Sequence, residues 1–249
     1  RKSLPTSGTG LPTDSTVQAA AALERARAAQ PVAIDTRCTL VFLGALWIND
    51  ALMGAARLAH TQGATLVALL YDLTPVMETG HTSTVNRLFT RYLNLLISSA
   101  SAVPAISESS RRDFVAYAEG KGLPVPPGHA TRLPCGITPE NRDLSQVPWP
   151  RPYVLCVGTI EARKNHRFAF SAWQQLIERH GSDVVPDLVC IGRLGWHASE
   201  FLDAYVDSGG LNGKVSVLSN SVSDTELAEF YAHAEFTLYL SGYEGWGLP

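Results

Sequence analysis

The sequence is poor in the groups that would set it apart from ordinary globular proteins. Only 17% of its residues are charged, and no run approaches the ~20 apolar residues of a membrane span. The formal net charge is -3, so the basic excess of a protein that wraps nucleic acid is missing and no nucleic-acid partner is expected. The cysteines Cys38, Cys135, Cys156 and Cys190 form no C-x-x-C pair, and the histidines show no zinc-type spacing. Reduced, mostly buried thiols and no metal are therefore expected, in a cytoplasmic protein. No signal-peptide pattern opens the chain. What remains is 45% hydrophobic content over 249 residues, enough for packed cores in two domains.

The order of patterns is that of two consecutive α/β series. Residues 1–14 read as a Gly/Pro/Ser/Thr loop, and Asp14 or Ser15 can cap a helix to about Ala29. The apolar run Thr39–Leu46 predicts a buried strand, Asp50–Thr61 a helix ended by Gly63, and Ala64–Leu70 another strand. Helical spacing in Leu88, Tyr92, Leu95 and Leu96 covers Ser83–Ala100. A short strand at Ala102–Ile106, a helix capped by Ser107 or Ser109, and a strand near Ala130–Leu133 follow. Thr138–Pro152 holds four prolines and no periodicity, and divides the chain into residues 1–140 and 141–249. The second series predicts strands Tyr153–Val157, Leu188–Ile191, Val215–Leu218 and Phe236–Leu240, alternating with helices Lys164–His180, Ser199–Ser208 and Asp224–Ala234. Two such sheets face a common cleft, and open α/β sheets bind ligands at the C-terminal ends of their strands.

Two segments at strand ends carry the chemistry. In VGTIEARKNH, from Val157 to His166, a glycine turn is followed by Arg163 and Lys164 opening a helix. A helix start already presents free N–H groups and partial positive charge, so cations there make either an anion site or a solvated basic face. In SGYEGWGLP, from Ser241 to Pro249, Gly242, Gly245 and Gly247 allow close backbone approach to a ligand, and Glu244 has no cation within four residues. That acid is either part of a surface turn or a partner for sugar hydroxyls.

These segments resemble the family 4, or group 1, retaining glycosyltransferases of the GT-B fold. VGTIEARKNH is similar to the family's diphosphate turn, DLVCIGRLGW to the next strand and turn, VSDTELAEFYAHAE to the helix before the last strand, and SGYEGWGLP to the start of its Glu-x7-Glu motif. YDLTPV, AISESSRRDF and LPCGI are similar to acceptor-side segments, so the likeness runs over about residues 39–249. The resemblance implies two Rossmann-like domains facing across a cleft, truncated here at one or both ends. It implies that Arg163 and Lys164 bind the diphosphate and stabilise it as leaving group, and that Glu244 holds hydroxyls of the transferred sugar. Gly158 and Thr159 would lie beside the phosphates, Gly245, Trp246 and Gly247 beside the sugar or diphosphate, and Ser219 and Asn220 near the base. The implied partners are a nucleotide-diphosphate sugar donor, with GDP-mannose the expected one, and a glycan or lipid-linked acceptor in surface polysaccharide synthesis. No cofactor or metal is implied. Peripheral contact with the inner face of the plasma membrane is compatible with a lipid-linked acceptor. The chain departs from the family in three places. Tyr71-Asp72 stands where the family often has His-Asp, the second glutamate falls beyond Pro249, and the N-terminal glycine loop is not recognisable.

Other residues keep two readings. Asp72 is an Asx-type cap or an acceptor-side group. Arg193 assists the diphosphate or pairs with a surface acid. Arg111 and Arg112 are a solvated helix face or a basic face for anionic lipid. Trp47, Trp149 and Trp173 read as packing residues. A donor-binding but inactive domain, and a sugar-nucleotide epimerase or glycan phosphorylase on the same fold, are the competing functions.

Overall fold

The computed structural model describes Glu24, Ala28 and residues 33–78, 82–133, 144–219, 222–247 and 249. The expected helix to Ala29 lies outside the described residues except at Glu24 and Ala28, which are helical, and most of LPCGI and Asn220 lie outside them as well.

The first series forms a parallel sheet. Strands β1 (Thr39–Phe42) and β2 (Thr65–Ala68) pair in register, Thr39 opposite Thr65 through Phe42 opposite Ala68. Helix α1 (Asp50–Thr61) lies between them in sequence, and Asn49 caps it by accepting from Ala51 and Leu52 N–H groups at 3.0 and 3.2 Å. Gly63 follows with φ 88°, the left-handed conformation that ends a helix. The strand expected to reach Leu46 stops at Phe42, because the chain turns at Gly44 into a 3-10 turn, Leu46–Ile48. The expected strands at Ala102–Ile106 and Ala130–Leu133 continue the sheet only as single pairings, Val67 with Ala102, Leu70 with Ala105 and Ala105 with Ala130. Pro104 interrupts the first of them and Pro126-Pro127 precede the second, so the N–H donors of a regular ladder are missing there. Helix α2 (Ser83–Ser99) buries Phe89, Tyr92, Leu93, Leu95 and Leu96 against this sheet. Helix α3 (Glu108–Glu119) is capped by Ser107 and buries Phe114 and Ala118. Arg111 does not form a free basic face: its guanidinium donates to the Pro126 carbonyl at 2.8 Å and holds the proline loop on α3.

The second series is a four-stranded, all-parallel sheet in the order β5-β4-β3-β6, with β3 Tyr153–Val157, β4 Asp187–Ile191, β5 Val215–Leu218 and β6 Phe236–Leu238. Every residue of β4 is buried, as expected of a central parallel strand covered on both faces. Alternate residues serve opposite faces. Val154, Cys156, Leu188 and Cys190 pack with Phe170 and Trp173 of α4 (His166–His180) and Phe201 of α5 (Ser199–Asp207). Tyr153, Leu155, Val189 and Ile191 pack with Phe230 of α6 (Asp224–His233). The sheet is thus doubly wound. Ser223 and Glu226 form a reciprocal capping box at the start of α6. Asp187, 1% exposed, collects Trp149 Nε1 at 2.9 Å and Arg151 Nε at 2.8 Å, tying the segment before β3 to the start of β4. No helix among the described residues is long and apolar enough to cross a membrane.

Candidate active site

The turns after β3 and β4 are built by backbone. After β3, Gly158 N–H donates to Ile191 O at 2.9 Å and Ile160 N–H to Arg193 O at 2.8 Å, while Gly195 N–H returns a bond to Ile160 O at 2.9 Å. The loops leaving β3 and β4 are therefore laced together. The lacing requires Gly192, where a Cβ would stand 1.9 Å from the Gly158 carbonyl oxygen.

Helix α4 does not begin at Lys164. Residues Ala162–Lys164 form a 3-10 turn, Asn165 takes a left-handed conformation at φ 57°, and the α-helix starts at His166. Asparagine tolerates that conformation better than most residues. The reversal places Arg163 and Lys164 ahead of the helix rather than in its first turn, where cations are disfavoured. It also aims Asn165 at the last strand, where its Nδ2 donates to Leu240 O at 2.7 Å. Gly242 N–H donates to Arg163 O at 3.1 Å, so the cationic turn and the glycine loop after β6 are bound to each other.

Glu244 lies where these two loops meet. Its Oε1 accepts from Arg163 Nη1 at 2.7 Å and from Lys164 Nζ in a closer contact. Arg163 also pairs through Nε with Glu161 Oε1 at 2.7 Å. Burial pushes the Glu244 carboxyl up, but the Lys164 hydrogen bond and the flanking charges outweigh it and hold the carboxyl below its ordinary value. The acid that has no cation near it in sequence thus has two in space. The turn is consequently a balanced cluster of two cations and two carboxylates rather than a bare anion site. Lys164 Nζ also stands 5.5 Å from the Tyr239 ring centroid.

The glycine loop docks on the first sheet's domain. Ser107 and Ser110 hydroxyls donate to the Gly245 carbonyl, the latter at 3.4 Å, and Tyr243 OH donates to Asp113 Oδ2 at 2.6 Å. A Cβ at Gly245 would stand 2.6 Å from the Tyr71 carbonyl oxygen, so only glycine fits this contact. Beside it opens a cleft of about 560 Å³, lined by Asp72 and Glu78 from one side and by Glu161, Arg163 and Trp196 from the other. A site shared by both halves follows.

The expected residues distribute as follows. Arg163, Lys164 and Glu244 come together, with Gly158 beside Lys164: a Cβ there would lie 3.8 Å from Lys164 Cε. Asp72 is both a cap and a cleft group, since its Oδ1 accepts from Thr74 N–H at 3.0 Å and it lines the cleft. Tyr71 turns its hydroxyl to Leu43 O at 2.6 Å. Thr159, Arg193 and Ser219 are exposed at the ends of β3, β4 and β5. Trp246 and Gly247 lie partly buried in the glycine loop, Gly247 at φ 79°. Trp149 and Trp173 pack as expected, Trp173 Nε1 donating to Pro186 O at 2.8 Å, but Trp47 packs on Phe89 and also lines the cleft. Sequence reasoning missed Glu161, Glu78 and Trp196. Trp196 carried a signal, an aromatic directly after a glycine turn at a strand end, and it stands 62% exposed where it lines the cleft.

Residues 138–249 match the family model of glycosyl transferases group 1. A serotype-specific mannosyltransferase WbdA of Escherichia coli is 36% identical over 98 residues, which are 39% of this chain and 12% of that protein. An O-antigen chain mannosyltransferase B of Escherichia coli is 36% identical over 104 residues, 42% of this chain and 26% of that protein. The matched segments thus span about an eighth to a quarter of those relatives. Among solved structures, an alpha,alpha-trehalose 6-phosphate synthase from Burkholderia multivorans superposes with TM-score 0.60 at 14% identity, over 93% of this chain and 55% of that one. A sucrose-phosphate synthase from Thermosynechococcus elongatus superposes with TM-score 0.61 at 18% identity, over 84% of this chain and 52% of that one. The chain has the GT-B fold, and its residues 138–249 are similar to the group 1 glycosyltransferases.

Proposed function

We propose that this chain carries the donor site of a retaining glycosyltransferase. It moves a hexose, mannose being the expected sugar, from a nucleotide-diphosphate donor such as GDP-mannose to a glycan or lipid-linked acceptor in surface polysaccharide synthesis. The observation that carries the reading is the convergence of Arg163 and Lys164 on Glu244 at the mouth of a cleft shared by both halves. The Escherichia coli relatives named as mannosyltransferases support the choice of sugar.

In this reading the diphosphate takes over Arg163 and Lys164, and the N-terminal end of α4 adds its partial charge. Negative charge grows on the leaving oxygen as the glycosidic bond breaks, so fixed cations there lower the barrier. The released Glu244 carboxylate then accepts hydrogen bonds from sugar hydroxyls. Arg163 and Lys164 supply the neutralising charge, so no metal is required at the diphosphate. Asp72, across the cleft, faces the acceptor. A lipid-linked acceptor would bring the protein to the inner face of the plasma membrane.

The test is Lys164→Ala, assayed for transfer from a panel of radiolabelled nucleotide sugars. Loss of one preorganised donor predicts a rate lower by about 100- to 1,000-fold. Unchanged transfer and donor affinity would sink the diphosphate role. Nucleoside diphosphate released only when acceptor is present separates transfer from epimerisation or phosphorolysis.

A further inference from the structure

Beneath the cationic turn lies a second cluster that the transfer reading does not use. Cys156 on β3 and Cys190 on β4 are register partners in neighbouring strands, on the face covered by α4. His166, the first residue of α4, turns its ring back toward them. The three are 4%, 0% and 2% exposed, and one potential ligand atom from each lies within 4.8 Å of the others. The His166 ring packs against Phe201 at 5.6 Å, and neither ring nitrogen has a hydrogen-bond partner in good geometry. A buried imidazole left this way is unfavourable unless something engages it.

We propose that Cys156, Cys190 and His166 form a binding site for one thiophilic divalent cation of the zinc type. Thiolate sulfur and imidazole nitrogen are the ligands zinc prefers. Its bonds of about 2.0–2.3 Å set ligand atoms roughly 3.5 Å apart, within reach of small side-chain rotations here. Both thiols bind as thiolates, their protons pass to solvent, and the neutral imidazole gives its lone pair. A divalent ion then leaves the buried site without net charge. A cleft of about 190 Å³ that His166 borders can supply water as fourth ligand. The segment from Val157 to Asn165, which carries Arg163 and Lys164, would be fastened at both ends by the metal. Cation binding itself does not depend on the donor reading.

The test uses the full chain purified without chelator, incubated with zinc(II) and desalted. Expected are about one retained zinc per chain, a sulfur-to-metal charge-transfer band when cobalt(II) replaces zinc, and protection of Cys156 and Cys190 from iodoacetamide until a chelator is added. Cys38→Ser keeps all three signals. Cys156→Ser, Cys190→Ser and His166→Gln, each checked for folding by circular dichroism, retain at least about tenfold less metal. The alkylation experiment needs no variant, so misfolding of a variant does not shelter the proposal. No retained zinc, a Cys156–Cys190 disulfide in freshly prepared protein, or equal retention in the Cys156→Ser and Cys190→Ser variants would overturn it.

Discussion

At the scale of single residues, Glu244 joins the two loops of the candidate site by accepting from Arg163 and Lys164. A hydrogen bond to a charged group contributes about 1.5–3 kcal/mol. Glu244→Gln is therefore expected to lower transfer by about 10- to 100-fold while tightening nucleoside diphosphate binding, because the carboxylate no longer competes for Arg163 and Lys164. Calorimetry with the nucleotide, alongside turnover, checks this split; weaker nucleotide binding would contradict it. The same pairing sets a pH dependence. The folded carboxyl titrates below its ordinary value of 4.5, so its contribution to stability is complete above the unfolded value and is lost as pH falls through the folded one. The stability gap between wild type and Glu244→Gln, measured by urea unfolding, is expected to close on acidification. Arg163, Lys164 and Glu244 were each legible in sequence from residue type, strand-end position and resemblance. Their contact was not, because 80 positions separate Lys164 from Glu244 and only the sheet order brings β3 beside β6.

At the scale of elements, apolar runs and turn residues located the parallel strands of the second sheet because buried strands admit little else. The start of α4 was misplaced for a definite reason. Arg163-Lys164-Asn165-His166 has no helix breaker, and only the left-handed Asn165 shows that the chain reverses there. The prolines that reduce the last two expected strands of the first sheet to single pairings are visible in the sequence, but their effect depends on which backbone groups face the neighbour. The laced turns after β3 and β4 give a sharp prediction. Gly192→Ala forces a methyl against the Gly158 carbonyl, and overpacking of this kind destabilises by about 1–3 kcal/mol. Thermal unfolding should show the loss, and nucleotide binding should fall with it because Gly158 is displaced. A variant with unchanged melting and binding would show that the turns are not rigidly joined.

Across the whole molecule, the contact between the two halves runs through a few polar groups. Tyr243 OH reaches Asp113, 130 positions away in sequence. Burial, and then the bond to Asp113, push the phenol well above its ordinary value, so it stays protonated and donates. Tyr243→Phe removes that bond and the one the hydroxyl accepts from Leu73 N–H, for an expected loss of about 1 kcal/mol in the contact. Faster amide exchange at Leu73 and Tyr243→Phe scattering profiles shifted toward a more open form are the expected readouts. Two facing halves could be read from the sequence, since the two α/β series are separated by a proline-rich stretch. Which loop closes on which helix could not, because Ser107 reads as an ordinary cap whether or not a carbonyl from the other half also meets it.

That double duty of Ser107 has a thermodynamic consequence. Its oxygen accepts from Ser110 N–H at the start of α3 while its hydroxyl, with that of Ser110, grips the Gly245 carbonyl of the donor-side loop. In the proposed reading, acceptor and donor would meet at one shared latch. If an acceptor pulls Ser107 away from Gly245, it loosens the loop that carries Glu244, and donor affinity falls by some factor. Reciprocity requires bound donor to weaken acceptor binding by that same factor. The proposed transferase would then show antagonism between donor and acceptor, set by the seryl hydroxyls that hold Gly245.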